Sequence, residues 1–263
     1  LETKLKDKLP DSSHSLVDYS DVVKQYNVLI DDYLGILISD VLSACEQCLS
    51  NMIKMNWVNH EAVGDQSTYV NAILSHLSKA VPVVRQNLIS SRKHFTEYCV
   101  KFVNAFLPKY LDSILKCKQV GATGAVQLLL DAQSLKMELL NLPSMGCTLV
   151  RKSPQILTDS VLKWTGSIEA VLKIVMSPTD PLDSFVEKYI QLFPEHDQKY
   201  FQKILEMKGL KRQEHSKLME LYSTHISTRF DQSKQSDQIL STTQRISLST
   251  SKLDSILKTF VTS

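Results

Sequence analysis

The sequence predicts an all-α protein: two consecutive helical bundles stacked into an elongated rod, followed by a C-terminal tail helix. Three observations predict it. Apolar residues recur at steps of three and four along most of the chain. Turn formers are scarce, with seven Gly and eight Pro in 263 residues, about half of average usage. No strand-like alternation of useful length occurs, and no Asn-Gly or Asp-Gly pair marks a hairpin. With 43% apolar and 22% charged residues, the chain is long enough to bury one large core or two smaller ones.

The clearest element is a long helix over residues 16–55. Leu16, Tyr19, Val23, Tyr26, Ile30, Tyr33, Leu37, Val41, Cys45, Cys48, Met52 and Met55 fall on one face, and no Pro interrupts them. Such a helix is about 60 Å long, several times the usual length. Leu37→Asp is expected to unfold the first bundle, because it buries an unpaired charge. Residues 56–67, with Asn, His and Gly, read as a loop. Helical spacing resumes over 69–88, where Pro82 kinks or divides it, and again from Phe95 to Cys117, where Pro108 predicts a bend. Gly121 and Gly124 mark a turn, and Leu128, Ala132, Leu135, Leu139 and Leu142 make a fourth helix ending near Pro143.

The stretch 143–154 reads as a junction, so the first bundle is expected over 1–143 and the second over 144–228. Ser153-Pro154 is a helix start, Ser as cap and Pro at the first position, followed by a stripe from Leu157 to Val175. Asp180-Pro181 repeats the signal, and Asp183 suits the first turn of the next helix. Gly209 sits where a helix C-cap belongs after Phe201, Ile204 and Leu205. Leu218, Leu221, Tyr222 and His225 suggest one more helix. In the Ser/Thr-rich tail, 229–263, Ile239, Ile246, Leu253 and Phe260 recur every seven residues, the mark of a thin coiled-coil-like arm, either docked back or in part disordered.

Composition narrows the function. The net charge of +2 lacks the basic excess of a nucleic-acid binder. No run of 18 uncharged apolar residues predicts a membrane span, since Asp31, Asp32 and Asp40 interrupt Val28–Cys45. Five Cys and no N-glycosylation sequon among eight Asn favour a reducing, cytosolic setting. The first residue is Leu, not Met, so a piece of a longer chain is expected.

Site chemistry is sparse. Cys45-Glu46-Gln47-Cys48 is a CxxC, but zinc wants four ligands and only His60 is near in sequence, so core packing is the expected role of the thiols. Glu195-His196-Asp197 lies between helices and reads as a turn. Gly121-Ala-Thr-Gly124 is too short for a phosphate loop and no nucleotide motif is present. Asp31-Asp32 point about 100° apart on a helix and read as a solvated face. No catalytic residue, metal or cofactor is assigned. The one candidate binding cluster is basic: Lys199, Lys203, Lys208, Lys211 and Arg212, with Arg151 and Lys152 nearby. It would receive an acidic peptide or lipid head group, or simply complement a helix C-terminus.

Leu149-Val-Arg-Lys-Ser-Pro154, Lys173-Ile-Val-Met-Ser-Pro178, Asp183-Ser-Phe-Val-Glu-Lys-Tyr-Ile190 and Phe201 to Arg212, with Met207-Lys-Gly-Leu-Lys-Arg212 the most distinctive part, resemble one family. Val81-Pro-Val-Val-Arg85, Phe102 to Pro108 and Leu128 to Leu135 fit it too. It is the vacuolar protein sorting-associated protein 53 family, in its C-terminal half, and the similarity covers roughly residues 57–225. The resemblance implies a helical subunit of the Golgi-associated retrograde protein complex, a non-enzymatic tether for vesicles moving from endosomes to the trans-Golgi network. It implies peripheral attachment at the cytoplasmic face of those membranes. The implied partners are the other subunits, vesicle proteins, fusion-machinery proteins or small GTPases. Two rivals from other classes are a metal- or cofactor-binding helical protein using Cys45, Cys48 and His60, and a lipid-binding module acting through the tail helix.

Overall fold

The computed structural model describes residues 2–10, 12–13, 18–60, 62–147, 152–195 and 198–228. Helices follow in the order α1 (Glu2–Lys6), α2 (Ser20–Ile53), α3 (Thr68–Asn87), α4 (Arg92–Lys116), α5 (Ala122–Leu140), a short 3-10 turn (Leu142–Ser144), α6 (Gln155–Met176), α7 (Leu182–Leu192) and α8 (Gln198–Lys208). A further helix, α9, covers 212–228. No strand occurs among the described residues. The fold class is all-α, and the chain forms two compact units, Leu1–Met176 and Ser177–Ser263. The tail stripe from Ile239 to Phe260 and the His196-Asp197 pair lie outside the described residues.

In the first unit α4 is the central element, because its apolar surface is wide enough to meet several neighbours. Phe95, Tyr98, Phe102, Phe106 and Tyr110 stand one turn apart, their rings stacked at centroid separations of 5.7–6.4 Å. Val103, Leu107 and Ile114 are buried as well. This side-chain column lets α2 pack on α4 and α3, while α6 packs on α4 and α5. Pro82 and Pro108 both lie inside continuous helices.

The units divide after Met176, whereas the sequence placed a junction at about Pro143. Pro143 stands in the 3-10 turn, which packs on α4 and α5. Beyond it α6 returns to the same core with Leu157, Val161, Ile168, Val171 and Leu172 buried. A Pro- and Gly-bearing segment turns a corner within a bundle as readily as it links two. The Ser153 cap does not form. The Pro154 carbonyl accepts from Leu157 and Thr158, and the Ser153 Oγ has no hydrogen-bond partner.

Helix α2 corrects the first expected stripe. Its 34 residues span about 51 Å, whereas α3 has 20 and α4 has 25. The neighbours cover only its C-terminal part, so the buried face begins at Leu34 and continues through Ile38, Val41, Leu42, Cys45, Cys48, Leu49 and Met52. Val23, Tyr26 and Tyr33 are more than half exposed, and Leu37 is 38% exposed. An aspartate at 37 therefore meets solvent, and the unfolding expected of Leu37→Asp does not follow. The apolar residues at 22, 26, 29, 33 and 36 form a second, solvent-facing stripe on the same helix.

The second unit closes around aromatic rings. Tyr189 of α7 lies 4.4 Å from Phe201 of α8, and Phe201 lies 4.8 Å from Tyr222 of α9, centroid to centroid. Gly209 adopts φ 67°, the left-handed cap conformation that lets the chain reverse from α8 into α9.

Candidate interaction surface

The thiols sit where the sequence put them, in the core. Cys45 and Cys48 are buried on α2, with Cys99 and Cys117 buried on or next to α4. Burial pushes Cys45, Cys99 and Cys117 up to about 12. Such thiols stay protonated at neutral pH, and metals and electrophiles take the thiolate. Cys48 donates to the Ala44 carbonyl at 3.4 Å. His60 lies against the Trp57 ring, 5.9 Å between centroids. Among the described residues no group of three or more His, Cys, Asp or Glu is arranged to hold a metal ion.

The Gly121–Gly124 pair has a packing role. Gly121 caps α5, and its N–H donates to the Trp57 carbonyl at 3.0 Å. A Cβ at Gly121 would stand 2.6 Å from the Val58 carbonyl oxygen, and one at Gly124 would run into the Trp57 carbonyl. The glycines thus let the loop between α2 and α3 lie directly on the start of α5. Asp31 bonds Lys101 of α4 at 2.7 Å, while Asp32 is exposed. That contact holds the Asp31 carboxyl below the usual carboxylate range.

The structure does not treat the expected basic residues alike. Lys199 and Lys203 are exposed one turn apart on α8, and Lys211 and Arg212 are exposed beside the Gly209 turn. Arg151 lies outside the described residues. Lys152 belongs to the first unit, on the wall of a cavity with Arg85 and Arg92. Lys208 is half-buried: its Nζ donates to the Ser177 carbonyl at 2.6 Å and stands 5.3 Å from the centre of the Phe185 ring. Lys188, which the sequence did not single out, donates to the Ser177 hydroxyl at 2.7 Å. No sequence signal joins two lysines twenty positions apart on different helices.

Burial, with repulsion from Lys188 second, pulls Lys208 down to about 8 from the ordinary 10.5. Between those values the unfolded chain holds more protons than the folded one, so stability gains with rising pH. Comparing wild type with Lys208→Met by urea melts isolates this effect, because the buried thiols and tyrosines titrate alike in both. The wild type is expected to gain on the variant from about pH 8 to 10.5. A difference flat across that range would refute the burial of this amine.

The family model described as the vacuolar protein sorting-associated protein 53 C-terminus matches residues 126–210, from α5 through α8. A Caenorhabditis elegans relative, named as a vacuolar protein sorting-associated protein 53 homolog, is 37% identical over 226 residues, 86% of this chain and 28% of the relative. The Arabidopsis thaliana protein 53 A is 34% identical over 211 residues, 80% of this chain and 24% of its own. The Arabidopsis protein 53 B is 33% identical over 106 residues, 38% of this chain and 18% of its own. The chain therefore spans about a quarter of the length of the curated relatives it matches most extensively. No solved structure matches. No described helix is long and apolar enough to cross a membrane. With residues 126–210 fitting the family's C-terminal model and most of the chain aligned to relatives from an animal and a plant, this chain belongs to the vacuolar protein sorting-associated protein 53 family and corresponds to its C-terminal region.

Proposed function

We propose that this chain is a non-enzymatic part of a multisubunit vesicle tether, the Golgi-associated retrograde protein complex, in transport from endosomes to the trans-Golgi network. It works at the cytoplasmic face of those membranes as a peripheral component, and the exposed basic surface of its second unit engages an acidic segment of a fusion-machinery protein. The observation that carries this reading is family membership over most of the chain. Charge supports the surface. The whole chain has a net charge of only +2, yet Lys199, Lys203, Lys211 and Arg212 are exposed within fourteen positions of one another. A local excess of this kind steers and registers an acidic partner through charge-assisted bonds.

The test reverses Lys203, Lys211 and Arg212 to Glu and leaves Lys208 in place, since it holds Ser177. The variant is expected to keep its helicity and melting temperature, while cargo retrieval to the Golgi falls to the level of cells lacking the chain. Normal retrieval with the variant would remove the basic surface from the mechanism. Normal retrieval in cells lacking the chain altogether would remove the tethering role.

A further inference from the structure

The first unit contains a cavity of about 330 Å³ where the end of α3, the start of α4 and the corner after α5 meet. Its charge is one-sided. Arg85, Arg92 and Lys152 line it, and no Asp or Glu does so among the described residues. The larger cavity of about 560 Å³ between α2 and α4 differs in this respect. There Lys93 and Lys101 are matched by Asp31 and Glu97, and Lys101 is already bonded to Asp31 at 2.7 Å.

Arg85 is tied to the corner after α5. One guanidinium nitrogen, Nη2, donates to the Gly146 carbonyl at 3.2 Å. Gly146 has φ 72°, and a Cβ there would press to 2.7 Å from Pro82 Cγ, so the corner is fixed tightly against α3. The other nitrogen, Nη1, is buried and has no hydrogen-bond partner. A buried charged donor without an acceptor is costly, and native structures rarely keep one without a reason. The cavity also has apolar lining, from Leu88, Ile89, Phe95 and Pro154, with Ile89 74% exposed.

We propose that this cavity binds a phosphate group carried on a small organic moiety. The Arg85 guanidinium is the inner charge, Arg92 and Lys152 are exposed and neutralise the remaining charge, and Leu88, Ile89 and Phe95 receive the uncharged part. Three cations with no carboxylate among the described lining residues match a dianion better than a single carboxylate, and a guanidinium fork fits phosphate oxygens. The volume lies within the usual range of about 300–1,000 Å³ for small-molecule sites. The phosphate can come from a free polyol phosphate or from the head group of a membrane lipid, because both present the same group.

Calorimetric titration of the whole chain with inorganic phosphate and with inositol trisphosphate tests the site. Flotation on phosphatidylcholine vesicles with and without phosphatidylinositol phosphate tests the membrane source. Inositol trisphosphate or the phosphoinositide vesicles are expected to bind, and added salt to weaken binding. Arg85→Gln is expected to weaken it at least about tenfold. The variant Arg92→Gln with Lys152→Gln, at two exposed positions where folding is not at stake, is expected to do the same. Lys79→Glu with Lys118→Glu, exposed lysines outside the cavity, is expected to leave binding unchanged. Binding of the soluble probe alone supports a free ligand, and vesicle binding competed by the soluble probe supports a lipid. No binding of any probe overturns the proposal, as does equal weakening by the Lys79 and Lys118 variant, or an Arg92 and Lys152 variant that binds like wild type.

Discussion

Replacing Trp57 with alanine is expected to lower the free energy of unfolding by about 3–5 kcal/mol. Trp57 lies in the loop between α2 and α3, yet is only 1% exposed. Its ring meets Tyr69 edge-on with centroids 6.5 Å apart, and its indole N–H donates to the Met52 carbonyl at 2.9 Å, satisfying a group at the end of α2. Its own carbonyl receives the Gly121 N–H. Trp57→Ala therefore opens a large cavity and loosens the attachment of the loop to α5. Trp57→Phe retains most of the ring but leaves the Met52 carbonyl without its indole donor, for about 1 kcal/mol. Urea unfolding followed by circular dichroism measures both. A Trp57→Ala cost equal to that of Trp57→Phe would show that the cavity term is absent and that the loop is not part of the core.

The second large effect is expected at Asp131, which is fully buried on α5. Its Oδ1 accepts the Ser67 backbone N–H at 2.8 Å, just where α3 begins, and the Gln127 amide at 3.2 Å. Gln127 in turn donates to the Asp65 carbonyl and accepts the Gly64 N–H. One carboxylate thus fixes a loop more than sixty positions away and orients the first turn of α3. Asp131→Ala strands these donors in the interior and is expected to cost about 2–3 kcal/mol. Asp131→Asn, which keeps an acceptor oxygen, is expected to cost less. Chemical denaturation measures the stabilities, and hydrogen exchange at the Ser67 amide reports the bond itself. Unaltered protection of that amide in Asp131→Ala would exclude the bond.

Periodicity made the helices legible, because a buried face must repeat every three or four residues wherever its partner lies. It located α3, α4 and α6 to α8 closely, whereas α5 begins at Ala122 and takes in Gly124, which had read as part of a turn. Gly209 announced its left-handed conformation through the lack of a side chain. What periodicity does not contain is what stands opposite each face. The apolar residues at Tyr26 and Tyr33 look like those at Cys45 and Met52, yet α3 and α4 reach only the latter. Trp57 read as loop because Asn, His and Gly break the helical pattern over 56–67, and its burial depends on two glycines more than sixty positions on. Pro143 and Gly146 carry the same composition as a linker, and only the return of α6 to α4 and α5 makes them a corner. The candidate cations show the same division. Lys199, Lys203, Lys211 and Arg212 are exposed as hydrophilic residues usually are, whereas Lys208 is drawn inward by Ser177, a partner no local pattern reveals. Arg85, Arg92 and Lys152 meet only through the fold.

The overhang of α2 divides one continuous helix into halves of unequal permanence. From Leu34 onward, unwinding a turn requires pulling side chains out of a packed interior. From Ser20 to Tyr33 no side chain is buried, and beyond its own backbone bonds the coil has the surface pair of Asp21 with Lys24 and one tie to α4, from Asp31 to Lys101. About 12–15 residues is the length at which an unsupported helix is marginal in water. The free end is therefore expected to melt and re-form in place, on timescales far faster than global unfolding, while the anchored end stays shut. A collision that bends or strips the overhang is absorbed there and leaves the α4 aromatic column undisturbed.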